Sequence, residues 1–156
     1  MRRIAAELGI QAPSLYKHFH DKRALEAAII ADGLREMGAA MEAAISTGGE
    51  PVKALAGAYR RFGLEHRHLY RLMNDGPLPR DLLPPGLEDD VSRPLVDLFG
   101  DRARARVAWA TAHGLVSLEL AGRFPEDADL DAAWNSAVTT LRSALGGAKR
   151  GGPTRS

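Results

Sequence analysis

Apolar residues recur along this chain at helical spacing, and nowhere do they alternate as in a half-buried strand. Ile4 and Leu8 precede Gly9, which predicts a short helix with a glycine stop. Pro13 followed by Leu15 and Phe19, four apart, predicts a two-turn helix over 12–19. Asp21 then reads as an N-cap. From Lys22 to Ser46 the residues Leu25, Ile29, Leu34, Met37, Met41 and Ile45 predict one long helix, ended at Ser46-Thr47-Gly48-Gly49.

Beyond that glycine pair, Pro51 opens a helix to about His66, with Leu55, Ala58, Tyr59 and Phe62 on one face, and a shorter one spans Leu69 to Met73. Residues 75–86 hold Pro77, Pro79, Pro84, Pro85 and two glycines, so an irregular turn or loop is expected there. A helix over Leu87–Phe99 follows, which Pro94 is expected to kink or split. Two strongly apolar helices complete the pattern, Asp101–Gly122 and Asp129–Leu145, the second with a stripe of Leu130, Trp134, Val138, Leu141 and Leu145. The expected architecture is all-α. It divides into a head with its connecting helix over 1–46, a body over 47–146 and a flexible tail over 147–156.

Composition narrows the class without changing that picture. Apolar residues make up 45% and charged residues 26% of the 156, enough to build an ordinary core. The absence of cysteine rules out disulfides, thiolate metal sites and a cysteine nucleophile, and suits a reducing cytoplasm. No apolar run approaches the roughly 18 residues of a membrane span, so a soluble, cytoplasmic protein with no membrane partner is expected. The formal net charge of +1 hides an asymmetry, because residues 1–23 carry five Lys/Arg against two Asp/Glu. That bias fits a small head that meets a polyanion, and it fits a solvated face equally well.

The segment from Ile4 to Phe19 has the shape of a helix-turn-helix. A second helix of eight residues is roughly 12 Å long, which matches the width of a major groove of about 12 Å. With Leu15 and Phe19 facing inward, Gln11, Ala12, Ser14, Lys17 and His18 point outward. Gln pairs with adenine, Ser with several base edges, Lys with guanine or phosphate, and the Ala12 methyl suits a thymine methyl. Ile4-Ala5-Ala6-x-Leu8-Gly9-Ile10, then Pro13-Ser14-Leu15-Tyr16-x-His18-Phe19-x-x-Lys22-x-x-Leu25, resembles the second, third and fourth helices of the tetracycline-repressor family. The resemblance implies that Tyr16 and Lys22 hold phosphates, and a helix N-terminus bearing a lysine is physically suited to one. It also implies a palindromic double-stranded operator read by a homodimer.

Further on, Trp109-Ala-Thr-Ala-His113-Gly114 is similar to the Trp, His-Gly motif of one group of C-terminal domains in that family, and His68-Leu-Tyr70-Arg-Leu-Met73 is of a similar kind. Members normally carry a helix before Ile4, so the resemblance implies a head without its first helix. Such a chain is expected to bind operator weakly or not at all, a version extended upstream to bind well, and the alternative is a short form acting as a ligand sink or dimer-poisoning partner. The resemblance further implies a repressor released by a small apolar or amphipathic effector. Tyr59, Phe62, His66, Tyr70, Met73, Trp109 and His113 are the candidate lining of its cavity, since such sites are mostly apolar with a few polar groups. Helix 101–122 is apolar on more than one side, so it is expected to meet either a second subunit, with residues 129–145 and Trp134 as anchor, or only its own core.

Catalytic patterns are not found. There is no glycine-rich phosphate loop, serine elbow or inward Glu-x-x-His pair, and His66 and His68, two apart, point to different faces of a helix. No enzyme activity, metal or cofactor is expected.

Overall fold

The computed structural model describes residues 20–148, and these fold into six α-helices and one 3-10 turn with no strand among them. The expected short helices over 4–8 and 12–19 lie outside the described residues. Helix α1 spans Lys22–Ser46, α2 Pro51–Glu65, α3 Arg67–Asn74, the 3-10 turn Arg80–Leu82, α4 Leu87–Phe99, α5 Arg102–Leu120 and α6 Leu130–Ala148. The last helix reaches past the predicted end of its stripe at Leu145.

Local chemistry sets these boundaries. The Asp21 carboxylate accepts the Ala24 N–H at 2.8 Å to start α1. Glu50 accepts those of Val52 and Lys53 at 3.0 and 2.8 Å, with Pro51 behind it, to start α2. Asp101 and Asp129 cap α5 and α6 in the same way, from Arg104 and Ala132. Each such cap is worth about 1 kcal/mol. Helix α4 stops at Gly100, whose φ of +79° lies where a side chain would be strained.

Pro94 neither splits nor ends α4. The helix runs unbroken through it with the ring buried, and the carbonyl deprived of a donor belongs to Asp90, an exposed residue that water reaches. The buried side of α1 also differs in one detail from the sequence pattern. Ile30 is 5% exposed and Ile29 37%, because at about 100° per residue Ile30 stays in phase with Leu34, Met37 and Met41 while its neighbour does not.

The long α1 packs on α2, α3 and α4, while α2 also packs on α5 and α6. The main core gathers Ile30, Met37, Met41, Tyr59, Phe62 and Val116, and a smaller cluster joins Val52, Phe99, Ala108 and Val138. Helices α2 and α5 approach so closely at Gly63 that a Cβ there would sit 2.5 Å from the Val116 side chain, itself fully buried. Of the two roles open to Trp134, interface anchor or core, it takes a place in its own chain's core. Its indole N–H donates to Glu119 at 3.2 Å, Arg60 lies over its ring, and the Arg60 guanidinium grips Glu119 at 2.8 and 3.1 Å and Asp131 at 2.5 Å.

Candidate functional site

A groove of about 1010 Å³ opens between α1, α4, α5 and the segment that carries the 3-10 turn. One wall is the apolar face of α1, with Leu34, Met37 and Met41 one helical turn apart. Val91 and Leu95 of α4 form another, and α5 contributes Ala105, Arg106 and Trp109. The proline-rich segment 76–86 makes the lip. Its Asp81 binds Arg23, in the first turn of α1, at 2.6 Å, and that guanidinium holds the Asp81 carboxyl below the usual carboxylate range.

Three of the seven side chains proposed from sequence as the lining, Tyr59, Met73 and Trp109, reach this groove. Phe62 and Tyr70 lie in the core behind it. His66 sits at the junction of α2 and α3, half exposed, with its ring against Phe62 and its Nε2 3.5 Å from Glu36. His113 is one turn beyond Trp109 and faces Tyr70.

Four of these residues are joined by hydrogen bonds. The Trp109 indole N–H donates to the Tyr59 hydroxyl at 3.1 Å, the Tyr59 and Tyr70 hydroxyls are 3.0 Å apart, and Tyr70 lies 2.8 Å from His113 Nδ1. An indole can only donate. The one order that gives every hydroxyl proton an acceptor sends the Tyr59 proton to the Tyr70 oxygen and that of Tyr70 to His113 Nδ1, with the imidazole proton on Nε2 towards Ser117 Oγ 3.4 Å away. Burial, reinforced by the neighbouring Tyr70, pushes the Tyr59 phenol far above its ordinary range, and burial raises Tyr70 as well. Every buried side-chain polar atom among the described residues has a partner.

Of the residues proposed to meet nucleic acid, Gln11, Ala12, Ser14, Tyr16, Lys17 and His18 lie outside the described residues. Lys22 opens α1 with its side chain 66% exposed and its ammonium 2.8 Å from Glu26. An exposed pair of this kind is worth only about 0.3–0.5 kcal/mol, so a phosphate would readily replace the carboxylate. Among the described residues no group of acidic and histidine side chains has metal-site geometry, and no helix is long and apolar enough to cross a membrane.

Sequence reasoning missed the α1 residues Leu34, Met37 and Met41 as lining, because a groove wall and a core face carry the same periodicity. The available signal was the run of prolines and glycines after α3, which had to pass over something. It missed the Arg60 knot because the partners stand 59 and 71 residues away along the chain.

No curated protein matches the chain closely enough to count as a relative. Among solved structures it is similar to SCO4313, a candidate regulatory protein, at 23% identity and a TM-score of 0.72, covering 91% of this chain and 84% of that one. It is also similar to a protein of unknown function from Rhodococcus sp. RHA1, at 27% identity and a TM-score of 0.70, covering 92% and 83%. Residues 1–29 match the family described as bacterial regulatory proteins of the tetR family, and residues 52–141 match the tetracyclin repressor-like C-terminal domain. With more than half its length in that second match, which includes the α4 and α5 walls of the groove, the chain belongs to the tetracycline-repressor family of transcriptional regulators.

Proposed function

We propose that this regulator is a homodimeric repressor that leaves its operator when a small apolar or amphipathic effector enters the groove. One observation carries this reading: the helix whose first turn holds Lys22 is the helix whose middle, Leu34 to Met41, forms the groove wall. A ligand that favours one position of α1 thereby shifts the equilibrium between head positions, by no more than its differential affinity for the two. Two heads enter successive major grooves only when spaced by about 34 Å, so a small displacement of α1 lowers affinity.

The outward faces of α5 and α6 support the dimer. On α5, Val107 is 61% and Leu118 45% exposed, with Ala110 and Gly114 between them and Ala103 one turn before, in helical register. A Cβ on Gly114 would meet nothing within 4 Å. On α6 a strip of small exposed residues, Ala132, Ser136, Thr139 and Ser143, runs beside the exposed Asn135 and Arg142. Two such faces bring helices close across a two-fold axis. Val107→Arg is expected to turn a sedimenting dimer into a monomer, and a wild-type monomer at micromolar concentration would refute the dimer.

Tyr16 and Lys22 are assigned to phosphates, and Gln11, Ala12, Ser14, Lys17 and His18 to base edges. The protein acts in the cytoplasm without catalytic activity. Selection of bound duplexes from a random pool tests the reading, with enrichment of a palindrome expected. Lys22→Ala should then weaken all duplexes alike and lower the salt slope by about 2, one phosphate contact from each protomer. A pool with no enriched symmetry, from this chain and from a version extended upstream alike, would overturn it.

A further inference from the structure

The charges that line the groove balance three against three, but their pairing leaves one arginine over. Six charged side chains line it, Arg80, Asp81, Glu88, Asp89, Arg102 and Arg106. Arg80 binds Glu88 through two nitrogens at 2.8 and 3.1 Å. Arg102 binds Asp89 at 2.8 Å, and Asp81 is taken by Arg23 from outside the lining. All three carboxylates are thus occupied. Arg106 is left over, with no carboxylate and no hydrogen-bond acceptor among the described residues.

Arg106 is not stranded at random. It lies one helical turn before Trp109 and one after Arg102, on the face of α5 that borders the groove. The remaining lining is largely apolar, and three of its members are methionines, Met37, Met41 and Met73. Unbranched thioether side chains adapt to an occupant of variable shape, which suits a flexible alkyl chain better than a rigid ring system. The volume stands at the upper end of the roughly 300–1,000 Å³ usual for ligand sites, so an extended molecule fits.

We propose that the groove takes a single-chain amphipathic anion, in its simplest form an alkyl carboxylate, with the carboxylate on Arg106 and the chain along the methionines. This rests on the groove being the effector site. A guanidinium presents a planar fork that holds a carboxylate through two parallel hydrogen bonds. Arg80 and Arg102 each already hold a carboxylate that an incoming anion would have to displace, so Arg106 is the lining guanidinium it reaches without exchange. A cationic amphiphile would meet an uncompensated like charge in the same place.

Calorimetric titration of the full chain, below micelle-forming concentrations, with dodecanoate, dodecanol and dodecyltrimethylammonium separates the possibilities. Dodecanoate is expected to bind at least about tenfold more tightly than dodecanol, the contribution of charge-assisted hydrogen bonds, and the ammonium most weakly. Arg106→Gln should abolish the preference for carboxylate over alcohol while leaving alcohol binding in place, and Arg106→Lys should restore part of it. Arg106 is exposed, so both variants are expected to keep the wild-type circular dichroism spectrum. Equal binding of all three amphiphiles, or a carboxylate preference that survives Arg106→Gln, overturns the anion and leaves the effector groove standing. Binding of none of them removes the groove as an amphiphile site.

Discussion

Tyr59 and Trp109 belong to two regions of opposite character. Behind them lies a filled interior, where Tyr70 is 2% exposed, Val116 has no exposure, and α2 meets α5 across a bare glycine. In front lies the groove, walled by thioethers and leucines and closed by a segment with little regular hydrogen bonding. The hydrogen bonds run from the groove edge inward and fix the two rings from behind. An open site needs such backing, since side chains that face empty space on one side hold position only through the other.

If the interior carries the stability and the groove does not, truncations should separate them. Tyr70→Ala is expected to cost about 3–5 kcal/mol in urea unfolding, the range for removing a large core ring. An effect as small as that of a groove residue would erase the distinction. Next, Arg60→Ala removes the partner of a mostly buried Glu119 and should cost about 1.5–3 kcal/mol, although no ligand affinity is lost. Equal loss in both measurements would show that the α2–α5–α6 knot shapes the groove as well.

Tyr70→Phe keeps the ring and deletes one hydroxyl, which leaves Tyr59 without an acceptor and His113 without a donor. A cost of about 1–3 kcal/mol follows. The same substitution has a pH signature. Both phenols are raised by burial, so the folded chain holds these protons more tightly than the unfolded chain. Their contribution is complete below the unfolded tyrosine value of about 10 and is lost as pH rises beyond it. Tyr70→Phe should flatten that alkaline decline, and an unchanged slope would show that folding does not tighten the hold on the Tyr70 proton. The smallest effect is expected at the lip, where Leu83→Ala removes a half-buried side chain at about 1 kcal/mol while weakening alkyl binding.

The same two regions explain what was legible in the sequence. Helix spacing and capping residues are local, so α1 to α6 follow from Asp21, Pro51 and the apolar stripes with little error. The aromatic residues that build the site were equally visible, but which side of each ring faces space is decided by helices far apart in sequence. Phe62, Tyr70 and His113 therefore looked the same as Tyr59, Met73 and Trp109. Trp134 fitted an interface anchor and a core residue equally, because nothing nearby reveals that Glu119 and Arg60 wait for it. Arg106 carried no signal, because its meaning comes from the pairing of the other arginines.

The four prolines of the lip have a consequence for what an effector must spend on entry. Their rings fix φ near −65°, so the lip has fewer shapes to abandon when it settles over a guest than a glycine-serine loop of equal length. A binding site roofed in this way stands ready before anything arrives, and most of the interaction energy of a guest remains for discriminating one molecule from another.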